Sequence, residues 1–218
     1  MKVYIAGEDD VTRAIIKRIL SHCSNNIEII SELPARGGQI KSKITEFNKL
    51  SAEYPVILLI DLDATPCAPQ LLQELLPTGK HKQFIFNIAV DEGEAWLMAD
   101  RKGFADFYGV DIKLIPISTP QKQDGSKALV EMDFKYKSSI FLTQYLIKEI
   151  RNPIFKKQLT PKKGASKGPE YNTAILPFIQ EKWNINEACK NSDSLSRMIN
   201  RIKSLVATKE TALPKIKL

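Results

Sequence analysis

Three clusters of acidic residues each follow a short apolar run: Glu8, Asp9 and Asp10 after Lys2–Ala6, Asp61 and Asp63 after Val56–Ile60, and Asp91, Glu92 and Glu94 after Phe84–Val90. On an extended chain, side chains two apart point the same way, so Asp61 and Asp63 present two carboxylates to one side while Leu62 faces the core. Hard oxygen donors without an imidazole suit Mg²⁺ or Mn²⁺. Two such ions about 3.5–4 Å apart support in-line attack on a phosphodiester. The plainer role for an acid at such a place is to cap the next helix, which is the reading for Asp9 or Asp10 and for Asp91. Glu8, Asp61 and Asp63 read instead as metal ligands, because an apolar strand running into Asp-x-Asp has no need of two caps. Glu92 and Glu94 lie about 200° apart on a helix, so one site uses both only where the helix has not begun. Trp96 and Leu97 beyond them read as core.

The elements that must carry these acids alternate. Lys2–Ala6 is a strand, and Val11, Ala14, Ile15, Arg18 and Ile19 recur at helical spacing. Ile27–Ile30 is a second strand, followed by a helix through Ile40, Ile44, Phe47 and Leu50 that Pro55 ends. Val56–Ile60 is apolar throughout, as a strand buried on both faces of a parallel sheet is. A turn through Pro66 and Pro69 leads to a helix over Gln70–Leu76, then the strand Phe84–Val90 and a helix over Glu92–Arg101. This order predicts an α/β layered fold with a mainly parallel central sheet flanked by helices. In such sheets ligands collect beyond the carboxyl ends of the strands, where all three acidic clusters fall.

Past Gly109 the pattern loosens. Ile112–Ile117 reads as an edge strand, and Pro116, Pro120 and Gly125 mark loops. Helical spacing returns in Ile140–Ile150, Ile175–Trp183 and Leu195–Val206. Between the first two, Arg151–Pro169 holds six Lys and Arg with no acid, together with Gly164, Gly168 and three prolines, and reads as a loop or clamp outside the core. Its glycines would let backbone N–H groups approach a phosphate. The predicted division is a core over 1–110 and a helical basic extension over 111–218 containing the basic loop 151–169.

Charge follows the same division. Residues 1–150 carry 18 Lys and Arg against 20 Asp and Glu, whereas residues 151–218 carry 14 against 5. A near-neutral body with a basic C-terminal third points to an anionic partner, nucleic acid above all. Three widely spaced cysteines, Cys23, Cys67 and Cys189, and only two histidines, His22 and His81, argue against a disulfide framework, a Cys/His zinc site and a histidine-based hydrolase. No run approaches the ~20 apolar residues of a membrane span, and the start MKVYIAGEDD has acids where a secretory leader would be apolar, so the expected location is the cytoplasm.

A Glu after the first strand and an Asp-x-Asp after a later apolar strand resemble the Toprim (topoisomerase–primase) fold, and in particular the single-domain Toprim-like proteins related to the overcoming-lysogenisation-defect (OLD) nucleases. The segment Ile88–Asp100, with Glu92, Glu94, Trp96 and Asp100, is similar to a motif of one uncharacterised Toprim-like family. So are Lys162–Asn172, with its Gly-Pro-x-Tyr-Asn ending, and the Trp183 and Ser192–Leu195 region. The resemblance implies a Mg²⁺- or Mn²⁺-dependent nuclease acting on DNA or RNA, in the setting of anti-phage defence. In it Glu8 would be a metal ligand or general base, Asp61 and Asp63 metal ligands, and Glu92 and Glu94 the support of a second metal, with Glu94 as ligand. Lys163 and Lys167 would join the catalytic set. An ATPase of the AAA or ABC-like type is the implied controlling partner, docked on the basic faces of Leu195–Val206 and the tail Thr208–Leu218, and a homo-oligomer is compatible with it. Two positions depart from the pattern: Thr12 stands where the related nucleases have a second acid, and Asp91 where a basic residue often precedes Glu-x-Glu-x-Trp. These departures keep open a catalytically silent docking subunit. A receiver-like phospho-acceptor module, with Asp61 as acceptor, is a weaker fit, because it expects Ser or Thr at the end of the next strand and Lys-Pro at the end of the last.

Overall fold

The computed structural model describes residues 1–63, 65, 67–121 and 129–211. The turn residue Pro66, the loop residue Gly125 and the tail beyond Thr211 lie outside the described residues.

Four strands form one parallel sheet: β1 (Lys2–Gly7), β2 (Glu28–Glu32), β3 (Val56–Asp61) and β4 (Phe84–Ala89), in the order β2-β1-β3-β4. The crossovers are α1 (Asp10–Cys23), α2 (Gln39–Leu50) and α3 (Ala68–Leu75). The sheet is buried on both sides and its residues alternate between two cores. Val3, Ile5, Ile57, Leu59 and Ile85 pack with α1 on one face, while Ala6, Val56, Leu58, Ile60 and Phe84 pack with α2 and α3 on the other. The layered α/β order expected from the sequence is therefore the one observed. In register, Gly7 lies opposite Leu59 and Asp61 opposite Ala89, so the chain leaves β1, β3 and β4 at one edge.

The helix expected over Glu92–Arg101 is two: α4 (Gly93–Ala99) and α5 (Arg101–Tyr108), broken at Asp100. Trp96 and Leu97 are fully buried, as expected. The predicted edge strand at Ile112–Ile117 is not one. Asp111 accepts a hydrogen bond from the Lys113 N–H and starts a 3₁₀ turn, Ile112–Leu114. Strand β5 (Ser118–Gln121) begins only afterwards and pairs antiparallel with β6 (Leu129–Met132) in a separate two-stranded sheet. Pro120 lies within β5, where a strand with a free side tolerates a missing donor.

The helical run α6 starts as Ser138–Ile140, widens into a π turn at Phe141–Tyr145 and tightens to 3₁₀ at Leu146–Lys148. The basic segment is not a loop throughout. Asn152 caps and Pro153 opens α7 (Pro153–Leu159), where Leu159 is fully buried and Phe155 packs on Phe107 and Tyr108. Gly168 serves this packing rather than an anion: a Cβ there would meet the Gln158 carbonyl oxygen at 2.1 Å. Then come α8 (Tyr171–Pro177), continued by a π turn over Phe178–Lys182, α9 (Ile185–Cys189) and α10 (Asp193–Thr211). Leu195, Met198, Ile199, Ile202 and Leu205 of α10 are buried in the same core as α1, α4 and α5. The helices past residue 137 are thus part of one covering layer of the sheet. Among the described residues, no helix is long and apolar enough to cross a membrane.

Candidate active site at the carboxyl edge of the sheet

The strand order reverses direction between β1 and β3, and a doubly wound sheet opens its ligand crevice at that switch point. Glu8 follows β1 there and Asp61 ends β3. The start of α1 packs close against the end of β1 because Gly7 lacks a side chain: a Cβ would meet Thr12 Oγ1 at 2.7 Å. The buried Arg13 fixes this end of β1, donating from Nε to the Gly7 carbonyl at 3.1 Å and from Nη2 to the Leu33 and Ala35 carbonyls, while Nη1 pairs with Glu32 at 3.0 Å. The Gly37 N–H donates to the Glu8 carbonyl at 2.9 Å, closing the loop beside it.

Glu8 Oε1 accepts from the Asp61 N–H at 3.3 Å, and Asp61 Oδ1 accepts from the Gly93 N–H at 3.0 Å. Asp61 therefore caps α4, the role expected of Asp91. Asp91 instead accepts from the Ser138 N–H at 2.8 Å, at the start of α6. Its backbone is left-handed (φ 67°), as is that of Asp63 (φ 55°), and these are the only non-glycine residues in that region among the described residues. Such strain gathers at functional sites. Asp9 is the α1 cap, as expected, and its partner in a reciprocal capping box is Thr12. The position where an acid was expected is thus engaged in starting α1.

Three lysines enter the cluster. Lys137 Nζ lies 2.9 Å from Asp63 Oδ1 and 3.6 Å from Glu92 Oε1, and Lys41 Nζ lies 3.4 Å from Asp63 Oδ2. Lys167 Nζ lies 2.9 Å from Glu94 Oε1 and 3.5 Å from Asp9 Oδ2. The Tyr171 hydroxyl donates to the same Glu94 oxygen at 2.8 Å, and the Lys167 ammonium stands 4.7 Å from the Tyr171 ring centroid. Glu92, just outside α4, accepts from the Ser139 N–H at 2.8 Å. Glu92 and Glu94 thus turn to different partners, yet both repel Asp61. Among the described residues, Glu8 and Asp61 form no ion pair.

The electrostatics follow from this division. Burial, then the charges of Glu94, Glu8 and Glu92, drive the Asp61 carboxyl well above the usual range. Burial and the nearby Asp63 raise Glu8 as well. Burial pushes Asp91 up to about 6 against its Ser138 hydrogen bonds. Asp63 goes the other way, since Lys137 and Lys41 outweigh its partial burial. Lys167 is held firmly protonated, the pull of Glu94 and Asp9 exceeding the cost of burial.

The structure therefore brings together Glu8, Asp61, Asp63, Glu92, Glu94 and Lys167, and leaves out Lys163, which is exposed and forms no ion pair among the described residues. Sequence reasoning missed Lys41 and Lys137 as members and gave Tyr171 no role. Tyr171 had a signal, its place in Gly-Pro-x-Tyr-Asn; Lys137 had only the Ser138-Ser139 helix start beside it. As to a divalent cation, the donors fit in kind, being carboxylate oxygens at strand ends, two of them in no ion pair among the described residues. They are not gathered in advance: among the described residues no three His, Cys, Asp or Glu side chains form a group able to hold a metal ion, because lysines engage Asp63 and Glu94.

Fold and site together define an α/β protein with an acidic cluster at the switch point of a parallel sheet. The chain belongs to the family described as Domain of unknown function (DUF4276), whose model matches residues 6–131. That match takes in Glu8, Asp61, Asp63, Glu92 and Glu94 and stops short of Lys137, Lys167 and Tyr171. No curated protein and no solved structure matches the chain.

Proposed function

We propose that the protein is a divalent-metal-dependent phosphodiesterase that cleaves nucleic acid. One observation carries this reading: Asp61 and Glu8, both half-buried, stand among like charges and form no ion pair among the described residues, with Lys41 relieving Glu8 only in part, an arrangement that costs stability until a cation enters. Glu8 and Asp61 would hold Mg²⁺ or Mn²⁺, joined by Asp63 and Glu94 as these release their lysines. The ion would supply charge for a phosphoryl oxygen and a more acidic attacking water. Lys137 and Lys167, freed from the carboxylates, are at hand to bind the phosphate. Raised by burial and by Asp63, Glu8 is a stronger base than an ordinary carboxylate, which suits the alternative role of general base. Incubating wild type and Asp61→Asn with single- and double-stranded DNA and RNA, in Mg²⁺, Mn²⁺ and EDTA, tests the reading. Metal-dependent cleavage lost in the variant is expected; no cleavage of any of them in either metal overturns it.

A second reading, a catalytically silent docking subunit, draws on the lysine pairs themselves, which already neutralise Asp63 and Glu94. A calorimetric titration with Mn²⁺ separates the two, since a silent subunit has no reason to bind it. Phospho-acceptance at Asp61 has less support, because β4 ends Asn87-Ile88-Ala89 without a hydroxyl.

Control by an ATPase partner and a part in anti-phage defence are proposed from the resemblance. The apolar stripe of α10 is buried in this chain's own core, which leaves the exposed Arg197, Arg201 and Lys203 as the docking face. Such an association would be steered and salt-sensitive. Co-expression with an adjacent ATPase and size-exclusion chromatography at low and high salt tests it. Separate peaks at both salts, with an unchanged cleavage rate, reject it.

A further inference from the structure

Next to the acidic cluster lies a group of aromatic rings, two of them exposed, that the metal reading does not use. The segment Phe134-Lys135-Tyr136-Lys137 alternates rings and ammonium groups and leads straight into α6. Tyr136 and Tyr145 are 43% and 40% exposed and stack on each other, centroids 5.1 Å apart and planes 7° from parallel. Phe141 continues the column behind Tyr145 at 6.5 Å and 12°, and Phe134 braces Phe141 edge-on at 5.5 Å. The π turn Phe141–Tyr145 fixes two of these rings on one helix, and π turns recur at functional sites. Lys135 and Lys148 stand 5.5 and 5.4 Å from the centroids of Tyr136 and Tyr145, and neither forms an ion pair among the described residues. Lys137, the residue after Tyr136, pairs with Asp63 in the crevice at 2.9 Å.

Two partly exposed parallel rings cost apolar area left in water, and stacking with each other covers only part of it. A nucleobase is the ligand whose shape and polarity extend such a column, and the lysines beside it suit the phosphates that a base brings along. We propose that Tyr136, backed by Tyr145, forms a stacking platform for an unpaired base of the substrate, with Lys135 and Lys148 on the flanking phosphates. The substrate is accordingly single-stranded, or splayed open, beside the cleavage site, because a base inside a duplex has no free face to offer. This inference rests on the proposed nucleic-acid substrate and narrows it.

Binding in EDTA, where no metal-dependent cleavage occurs, separates the two. Fluorescence anisotropy is measured with a labelled single-stranded oligonucleotide and with its duplex, for wild type, Tyr136→Ala, Tyr145→Ala and both Tyr→Phe variants, each checked for an unchanged melting temperature. The expected result is preference for the single strand, a loss of about 5- to 150-fold in single-strand affinity for Tyr136→Ala, a smaller loss for Tyr145→Ala, which removes the backing ring, and near wild-type affinity for each Phe variant. Duplex binding stays the same throughout. Single-strand affinity unmoved by either Ala variant, or a duplex bound more tightly than the strand, overturns the platform and leaves these rings to a protein partner. Ring-dependent binding in a protein that never cleaves in Mg²⁺ or Mn²⁺ upholds the platform while the phosphodiesterase reading fails. Cleavage without ring-dependent binding is the reverse.

Discussion

Two sets of carboxylates in this molecule have opposite surroundings. Asp100, 2% exposed, accepts hydrogen bonds from the Gly103 and Asn184 N–H groups at 3.1 and 2.8 Å. Glu131, 3% exposed, accepts from the Ser192 hydroxyl at 2.7 Å and the Ser194 N–H at 2.6 Å, tying β6 to α10. Burial raises the pKa of both, but hydrogen bonds oppose it, and acids farther off add only minor repulsion. At the crevice burial is compounded by like charge: Asp61 faces Glu94, Glu8, Glu92 and Asp9 with only one backbone donor on its carboxylate. Burial alone therefore does not separate the two sets. Crowding with its own kind does, since nothing in folding rewards it.

Asp61→Asn tests the comparison hardest. The amide oxygen can still accept from Gly93, so the α4 start survives while one ligand charge is lost. Cleavage should fall by several kcal/mol of transition-state stabilisation, about a thousandfold or more, with the melting temperature unchanged or raised. Asp63→Asn should also abolish metal-dependent cleavage with the fold intact. A variant at either position that cleaves like wild type removes the metal site. Asp100→Ala should do the opposite: two part-buried N–H groups lose their acceptor, at about 1–3 kcal/mol of stability by urea unfolding. Its metal dependence should not change. If Asp100→Ala is as stable as wild type, the distinction between the two sets fails.

A smaller effect is read by pH. A folded-state pKa above the unfolded value near 4 means that the folded protein keeps a proton the unfolded chain has released. Stability then falls as pH rises from the unfolded value through the folded one. Asp61 and Glu8 are shifted this way, and Asp91 to about 6. Asp63, held low by its lysines, has the opposite sign, so total stability is the wrong observable. The difference in melting temperature between Asp61→Asn and wild type isolates one group and should grow from pH 5 to pH 8 in EDTA. Mg²⁺ should shrink it at pH 8, because the carboxylates bind metal only when deprotonated. A difference independent of pH would mean that Asp61 is not crowded.

The acids were legible in the sequence because each follows a strand buried on both faces, and parallel strands deliver their ends to one edge. Asp61's second role, accepting from Gly93, was not, since the cap and its helix are separated by a whole strand and its crossover. Lys137 and Lys41 were hidden for the same reason: an ion pair across the fold leaves no local pattern. The helix over Pro153–Leu159 had a local signal, Asn152-Pro153 at its start, outweighed by the lysines and glycines around it. The 3₁₀ turn at Ile112–Leu114 was mistaken for a strand because an apolar run of this length carries no periodicity, and Asp111 was the clue to its true form.

Among the lysines of the basic segment the structure separates one that faces the crevice from two that face solvent, and this gives the smallest expected effect. Lys167 is bound to Glu94 and Asp9, so its loss should act on the cleavage rate and on stability together. Lys162 and Lys163 are exposed and pair with nothing among the described residues, so they are free to meet phosphates as the strand enters. Replacing both with Ala should flatten the slope of log K against log salt by about 0.7–0.9 for each phosphate that is no longer neutralised. The rate at saturating substrate should stay as in wild type, because neither ammonium reaches the carboxylates. The contrast is sharp only if the two readouts split: a changed saturated rate would bring Lys163 back into the catalytic set, and an unchanged salt slope would remove both residues from the binding surface.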